Sequence, residues 1–120
     1  MPCYNAARHL GRSIGSVQAQ TFGQWQLIAI DDGSTDDTWA VLTAMAARDD
    51  RIRPLRQANA GAAAARNRGL DVSDSPLVAF LDADDTWEPT FLQQMTAALA
   101  ADPMAGIAYC GWQQHGLGGG

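Results

Sequence analysis

Two short apolar runs in this chain end abruptly in carboxylates. WQLIAI at 25–30 runs into Asp31 and Asp32, and LVAFL at 77–81 runs into Asp82, Asp84 and Asp85. A run apolar at nearly every position reads as a strand buried on both faces. Acids cannot follow it inward unpaired. Each acid cluster therefore marks the place where a strand leaves the core.

The stretches between follow a helical period. Asn5 is positioned to cap a helix over roughly 6–21, with Leu10, Ile14 and Val17 on one face and Gly11 and Gly15 weakening it. Ser34 or Thr35 is expected to cap a second helix near 36–48, where Asp36 and Asp37 suit the N-terminus and Val41, Leu42 and Met45 form the apolar stripe. IRPLRQ at 52–57 reads as a short strand that Pro54 pushes to a sheet edge. NAGAAAARNRG opens with a glycine loop and continues as a helix to about Leu70, and DVSDSP is a turn. LVAFL at 77–81 is the strongest strand signal. Pro89 is expected as the first residue of a helix over about 89–100, ended by Ala101-Asp102-Pro103, with a last strand at 106–110. This alternation predicts an α/β fold: a Rossmann-like, mostly parallel sheet with helices on both faces. Such sheets bind ligands beyond the carboxyl ends of their strands, so both acid clusters are expected on one rim.

A chain of 120 residues suits one domain, here residues 1–112, followed by a flexible Gly-rich tail at 113–120. No strand precedes the turn-like MPCYN, and HGLGGG is low in complexity; the expectation is a piece of a longer protein, incomplete at both ends. Thirteen acids against eight bases give a net charge of −5, which disfavours nucleic acid and anionic membranes. All eight bases are Arg. Without Lys there is no phosphate-loop lysine, no Schiff base and no lysine beside a phosphorylated Asp. Cys3 and Cys110 read as a reduced, intracellular pair. No run approaches the ~20 apolar residues of a membrane span, and no signal peptide is evident, so a cytoplasmic location is expected.

Crowded carboxylates repel one another unless solvent screens them or a cation sits among them. Oxygen-only donors suit Mg²⁺ or Mn²⁺, which are commonly shared between carboxylates and substrate phosphates. The plainer reading is that Asp82 or Asp85 caps a turn. Asp31-Asp32-Gly33-Ser34 can likewise be a turn with a helix cap, or can place a carboxylate beside a ribose or base edge. Arg66 could reach the acid rim, Arg68 reads as a solvated face, and Asn67 as a structural hydrogen-bonder. Trp39, Trp87 and Trp112 read as packing residues, with Trp87 near enough to the acids to line a pocket; Trp25 starts a strand half exposed. His9 and His115 read as surface residues. Cys3 has no evident base to activate it as a nucleophile.

In order and spacing, PCYNAARHLGRSIGSVQAQTF, LIAIDDGSTDDT, NAGAAAARNRGL and LVAFLDADDTWEP resemble the nucleotide-sugar half of family 2 glycosyltransferases of GT-A fold. The resemblance covers nearly all of residues 2–112. It implies that Pro2, Cys3, Tyr4 and Asn5 line a nucleotide pocket and that Asp32, with Asp31 beside it, contacts the base or ribose. It places Arg66 near the nucleotide. It implies Asp84 as ligand of the Mg²⁺ or Mn²⁺ that bridges the donor diphosphate, Asp82 as support to the ribose or the metal's waters, and Asp85 as an auxiliary metal residue. The implied reaction is inverting transfer from a nucleoside-diphosphate sugar, a UDP-sugar first, to a saccharide or lipid-linked acceptor in polysaccharide or cell-envelope glycan synthesis. The family's first strand and its general base fall outside this sequence, so the chain alone is expected to be inactive.

Two other readings stay open. FLDADDTW also fits a haloacid-dehalogenase-type phosphatase, with Asp82 as nucleophile, Asp84 as acid/base and Thr86 on the phosphate, although Asp85 replaces a usual Gly and the required lysine is missing. The other is a degenerate module that binds a nucleotide without catalysis.

Overall fold

The computed structural model describes residues 1–101. Seven elements follow in order: β1 (Pro2–Cys3), α1 (Ala7–Gln18), β2 (Leu27–Asp32), α2 (Thr38–Arg48), β3 (Ile52–Gln57), α3 (Ala62–Val72) and α4 (Phe91–Ala101). The strands form a parallel sheet in the order β1-β2-β3, with Asp31 opposite Cys3 and Arg56, and Asp32 opposite Gln57. The expected strand at 106–110, Cys110, Trp112, His115 and the Gly-rich tail lie outside the described residues.

The period of two in β2 divides the molecule. Leu27 and Ala29 face one side, where they join Leu10 and Ile14 of α1, Leu42 of α2, and Ile52 of β3 in the core cluster. In α1 the buried set is Leu10, Ser13, Ile14 and Val17, one face of a 3.6-residue period, and that stripe carries the helix past Gly11 and Gly15. Full burial of Leu10, Ile14 or Leu42 contributes about 1.5–3 kcal/mol each. α3 packs against β1 and β2, on the side where Ala65 is buried. β3 is a sheet edge among the described residues, as Pro54 requires.

The structure corrects the sequence reading at several boundaries. β2 runs two residues later than expected, so Asp31 and Asp32 belong to the strand and extend the ladder. α4 begins at Phe91 rather than Pro89; the Pro89 carbonyl instead accepts the Thr21 N–H at 2.9 Å. The largest correction is at 77–81, which forms no strand. Leu77, Val78 and Phe80 are 52%, 47% and 53% exposed, and only Leu81 is buried. A strand needs a laterally paired backbone, and β1, with two residues, is too short to provide a five-residue ladder. Among the described residues no helix is long and apolar enough to cross a membrane.

Candidate functional site

The site is built at the carboxyl ends of β1 and β2, where two loops bond to each other. Asn5 has φ of 48°, a left-handed backbone that Asn tolerates. The Asn5 and Ala6 N–H groups donate to Ser34 Oγ and Thr38 Oγ1, both at 2.9 Å, and Ala7 N–H donates to Asp36 Oδ2 at 3.3 Å. In return Asn5 Oδ1 accepts the N–H groups of Thr35 at 2.8 Å and Asp36 at 3.3 Å. Asn5 therefore serves the neighbouring loop rather than capping α1, and Ser34 and Thr35 do not cap α2. The N-cap residue of α2 is Asp37, which makes no side-chain cap bond; just ahead of it, Asp36 Oδ1 accepts Thr38 N–H at 2.9 Å and also the Thr38 hydroxyl. The Thr38 hydroxyl holds the Asp36 carboxyl below the usual carboxylate range, and backbone donors add to the effect.

The two acids at the end of β2 point to opposite faces. Asp31 is fully buried toward α2, where Oδ1 accepts Ser34 N–H at 3.0 Å and Oδ2 lies 3.5 Å from Arg56 Nε. The Arg56 guanidinium in turn lies 5.3 Å from the Trp39 ring centroid. Asp32 faces the opposite side. Its Oδ1 accepts Gln57 Nε2 at 2.9 Å and Ala60 N–H at 2.8 Å, and its Oδ2 accepts Gly61 N–H at 2.9 Å. The Gln57 amide, then the Ala60 and Gly61 N–H groups, hold the Asp32 carboxyl below its ordinary value. Gly33 makes this closure possible. Its φ is +72°, and a Cβ there would stand 2.7 Å from the Asn59 nitrogen.

Asp82, Asp84 and Asp85 lie on a tight turn closed by Asp85 N–H to the Asp82 carbonyl at 3.0 Å. One carboxylate oxygen from each lies within 4.8 Å of the others, and all three residues are exposed. Desolvation, then the charges of Asp84 and Asp82, pushes the Asp85 carboxyl above its ordinary value. An all-oxygen set of three acids fits a hard divalent cation such as Mg²⁺ or Mn²⁺. Arg66 of α3 reaches this cluster, with Nη2 3.2 Å from Asp82 Oδ1.

A cleft of about 370 Å³ joins these parts. Pro2, Cys3, Tyr4 and Asn5 line one wall, and Asp32, Arg66, Asp82 and Asp84 line the remainder. Of the residues read from the sequence, Asp31 is not brought to the cleft, because the strand period turns it to the other face. Asp85 stands beside the cleft, within the acid cluster. The Cys3 thiol is buried and pushed up to about 12, chiefly by desolvation, so it is no nucleophile.

Other side chains depart from expectation. His9 is half-buried and lines the cleft instead of lying on the surface. Arg68 is half-buried and, beyond lying on a helix face, donates from Nη1 to the Arg56 carbonyl at 2.7 Å, which ties α3 to β3. Trp87, by contrast, packs as read, stacked on Phe91 with ring centroids 4.5 Å apart, and it lines an apolar groove rather than the acid cleft. Trp25 precedes β2, with the Arg51 guanidinium 3.8 Å from its ring centroid. Gln57, Asn59, Ala60 and Gly61 were not legible as partners of Asp32. The Asn-Ala-Gly run signals a loop, but only the fold brings it to β2.

Residues 1–118 match the profile of the family described as Glycosyl transferase family 2. The chain is 40% identical over 107 residues to an uncharacterized glycosyltransferase of Nostoc, covering 88% of this chain and 33% of that protein. It is 42% identical over 88 residues to the Escherichia coli UDP-Glc:alpha-D-GlcNAc-diphosphoundecaprenol beta-1,3-glucosyltransferase WfgD, covering 72% of this chain and 34% of that protein. The chain thus spans about a third of the length of these relatives. Among solved structures, S. aureus TarS in complex with UDP superposes with a TM-score of 0.78 at 22% identity, covering 94% of this chain and 36% of that one. TarS in complex with UDP-GlcNAc gives a TM-score of 0.76 at 23% identity, with 94% and 35% covered. At that identity the likeness shows the fold alone.

Proposed function

The chain belongs to glycosyl transferase family 2, and from that premise we propose that the cleft is the donor site for a nucleoside-diphosphate sugar, held through a divalent cation for inverting transfer to an acceptor hydroxyl. The observation that carries this reading is the convergence of Asp32, Arg66, Asp82 and Asp84 on one cleft, with three carboxylate oxygens within 4.8 Å beside it. Its volume suits a nucleotide-sized ligand. A UDP-sugar is the first candidate. The TarS complexes are with UDP and UDP-GlcNAc, and WfgD is named for UDP-Glc. The WfgD name also supports a lipid-linked glycan as acceptor and cell-envelope synthesis as the setting.

Asp84 and Asp82, with Asp85 as auxiliary, would hold the cation. When bound there, Mg²⁺ or Mn²⁺ supplies positive charge to the diphosphate oxygens. Arg66 adds planar donors suited to phosphate, and its tie to Asp82 fixes the guanidinium before the ligand arrives. Pro2 to Asn5 form the wall against which the nucleoside lies, and Asp32 faces it from β2 with Asp31 holding the turn from behind. In the transfer, the acceptor oxygen forms a bond to the anomeric carbon as the bond to the diphosphate oxygen breaks. The hydroxyl proton passes to a separate carboxylate, and the electron pair leaves with the nucleoside diphosphate.

Titration calorimetry tests this with UDP, GDP and dTDP, each with Mn²⁺ and with EDTA, on the chain and on Asp84→Ala. Binding that needs Mn²⁺, favours UDP and is lost in Asp84→Ala is expected. Binding that survives EDTA and Asp84→Ala would contradict the reading.

A further inference from the structure

Among the described residues two basic side chains line the acid cleft, Arg66 and His9, against the acids Asp32, Asp82 and Asp84. They stand on opposite flanks of the acid turn. Arg66 reaches Asp82 from α3. Between Asp82 and Asp84, buried Ala83 packs in the core cluster with Ala6 and Leu10, at the start of α1. The chain then runs along α1. Trp87 N–H donates to Ser16 Oγ at 3.1 Å, and Gln20 Nε2 donates to the Glu88 carbonyl at 2.7 Å. His9, Ser16 and Gln20 share one helix face, because steps of seven and four residues return to within about 40° at 3.6 residues per turn. His9 is therefore the α1 side chain on the Asp84 flank. Its ring is half-buried, and its nitrogens are already told apart. Arg8 Nε donates to His9 Nε2 at 3.3 Å, so Nε2 accepts and Nδ1 carries the proton. Among the described residues no acceptor meets that Nδ1–H.

We infer that His9 is a donor-binding residue whose Nδ1–H hydrogen-bonds an oxygen of the β-phosphate of the nucleoside diphosphate, on the flank opposite Arg66. The inference rests on the donor-site reading and adds the side chain that separates a diphosphate from a monophosphate. With the nucleoside against Tyr4, Asn5 and Asp32, the first phosphate meets the Arg66–Asp82 flank and the second the Asp84–His9 flank. A diphosphate brings negative charge to a cleft that three acids already line, so each phosphate needs its own donor. A neutral imidazole N–H supplies one without competing with a cation for the carboxylates. The β-phosphate also takes up the electron pair as the sugar leaves, so a donor fixed there favours transfer as well as binding.

Titration calorimetry in Mn²⁺ tests this with UDP and UMP on the full 120-residue chain and on four variants, each checked for unchanged far-UV circular dichroism and Tm. His9→Ala and His9→Phe should weaken UDP about tenfold, for loss of one hydrogen bond to a charged group, and leave UMP within about twofold. His9→Asn sets an amide N–H near the place of Nδ1 and should recover most of the affinity; His9→Gln reaches toward the place of Nε2 and should not. Phe keeps the ring, so a merely structural role would leave His9→Phe at full affinity. Where a variant unfolds, the imidazole ¹⁵N–¹H spectrum of the unaltered chain decides, with His115→Gln assigning the signals: UDP should shift the His9 Nδ1–H resonance and UMP should not. Full UDP affinity in His9→Ala, or equal weakening of UDP and UMP, overturns the inference and leaves the donor site standing. An unaltered chain that binds no UDP in Mn²⁺ overturns the donor-site reading and this inference with it.

Discussion

Asp32 accepts the backbone N–H of Gly61 at 2.9 Å, so the acid that faces the cleft also fixes the loop from which α3 starts. Together with the Ala60 N–H and the Gln57 amide, this bond ties β2, β3 and α3 at one point. Arg66 lies one turn into α3, and its reach to Asp82 depends on where that loop is held.

Asp32→Ala leaves these donors without their acceptor and should cost about 2 kcal/mol, since hydrogen bonds to a charged group contribute about 1.5–3 kcal/mol. Urea unfolding measures it, and Asp32→Asn should recover part. The sign with pH follows from the depressed carboxyl. The contribution is present above the ordinary value of 3.8 and is lost as pH falls through the lower folded value. A loss below about 0.5 kcal/mol, within the range of ordinary surface changes, would contradict the anchoring role.

Gly33→Ala should destabilise by more than the about 1–2 kcal/mol of a left-handed non-glycine residue, because its Cβ would also meet the Asn59 backbone at 2.7 Å. Chemical denaturation checks the magnitude. A shift of the denaturation midpoint too small to correspond to 1 kcal/mol would mean that the 59–61 loop yields easily.

Asp49 and Arg51 are joined by Nε and Nη2 contacts of 3.0 Å each, and the Arg51 hydrogen bonds hold the Asp49 carboxyl at about 2 against an ordinary 3.8. The pair should stabilise the fold fully above pH 3.8 and progressively less as pH falls toward 2. Asp49→Asn should flatten the stability profile in that window, and added salt should shrink the difference. An unchanged profile in the variant would remove the pair from the account.

Asp85→Asn should raise Tm in EDTA, because it removes the charge whose desolvation, and then whose repulsion from Asp84 and Asp82, raises the Asp85 carboxyl. The same substitution should reduce the further stabilisation gained on adding Mn²⁺. Thermal melting with and without the cation reads both. A variant less stable in EDTA would show that the three carboxylates are not under mutual strain.

Much of the fold was legible from the chain. β3 appears at its expected residues, and the apolar faces of α1 and α2 carry the residues that the helical period selects. LVAFL reads as a strand yet forms none, because composition reports burial tendency, whereas a ladder requires a neighbour, and the neighbour is set by the whole sheet. The acid rim was visible as carboxylates after apolar runs. The opposed directions of Asp31 and Asp32 became visible only once β2 was seen to extend through both. The bonds of Asn5 to Thr35 and Asp36 join residues about 30 apart in sequence, and no local pattern encodes them. His9 reads as a surface residue because a lone His on a helix carries no spacing signal, and only the fold brings it to the cleft.

Cation and nucleotide must be linked if the carboxylates of Asp82, Asp84 and Asp85 act together on a diphosphate. Titrating Mn²⁺ into the chain and following the free-ion electron paramagnetic resonance signal, with and without UDP, measures this directly. UDP should tighten Mn²⁺ binding by the same factor by which Mn²⁺ tightens UDP, as linkage requires, and Asp84→Ala should abolish both. Mn²⁺ affinity indifferent to UDP, or unchanged in Asp84→Ala, would contradict the central claim.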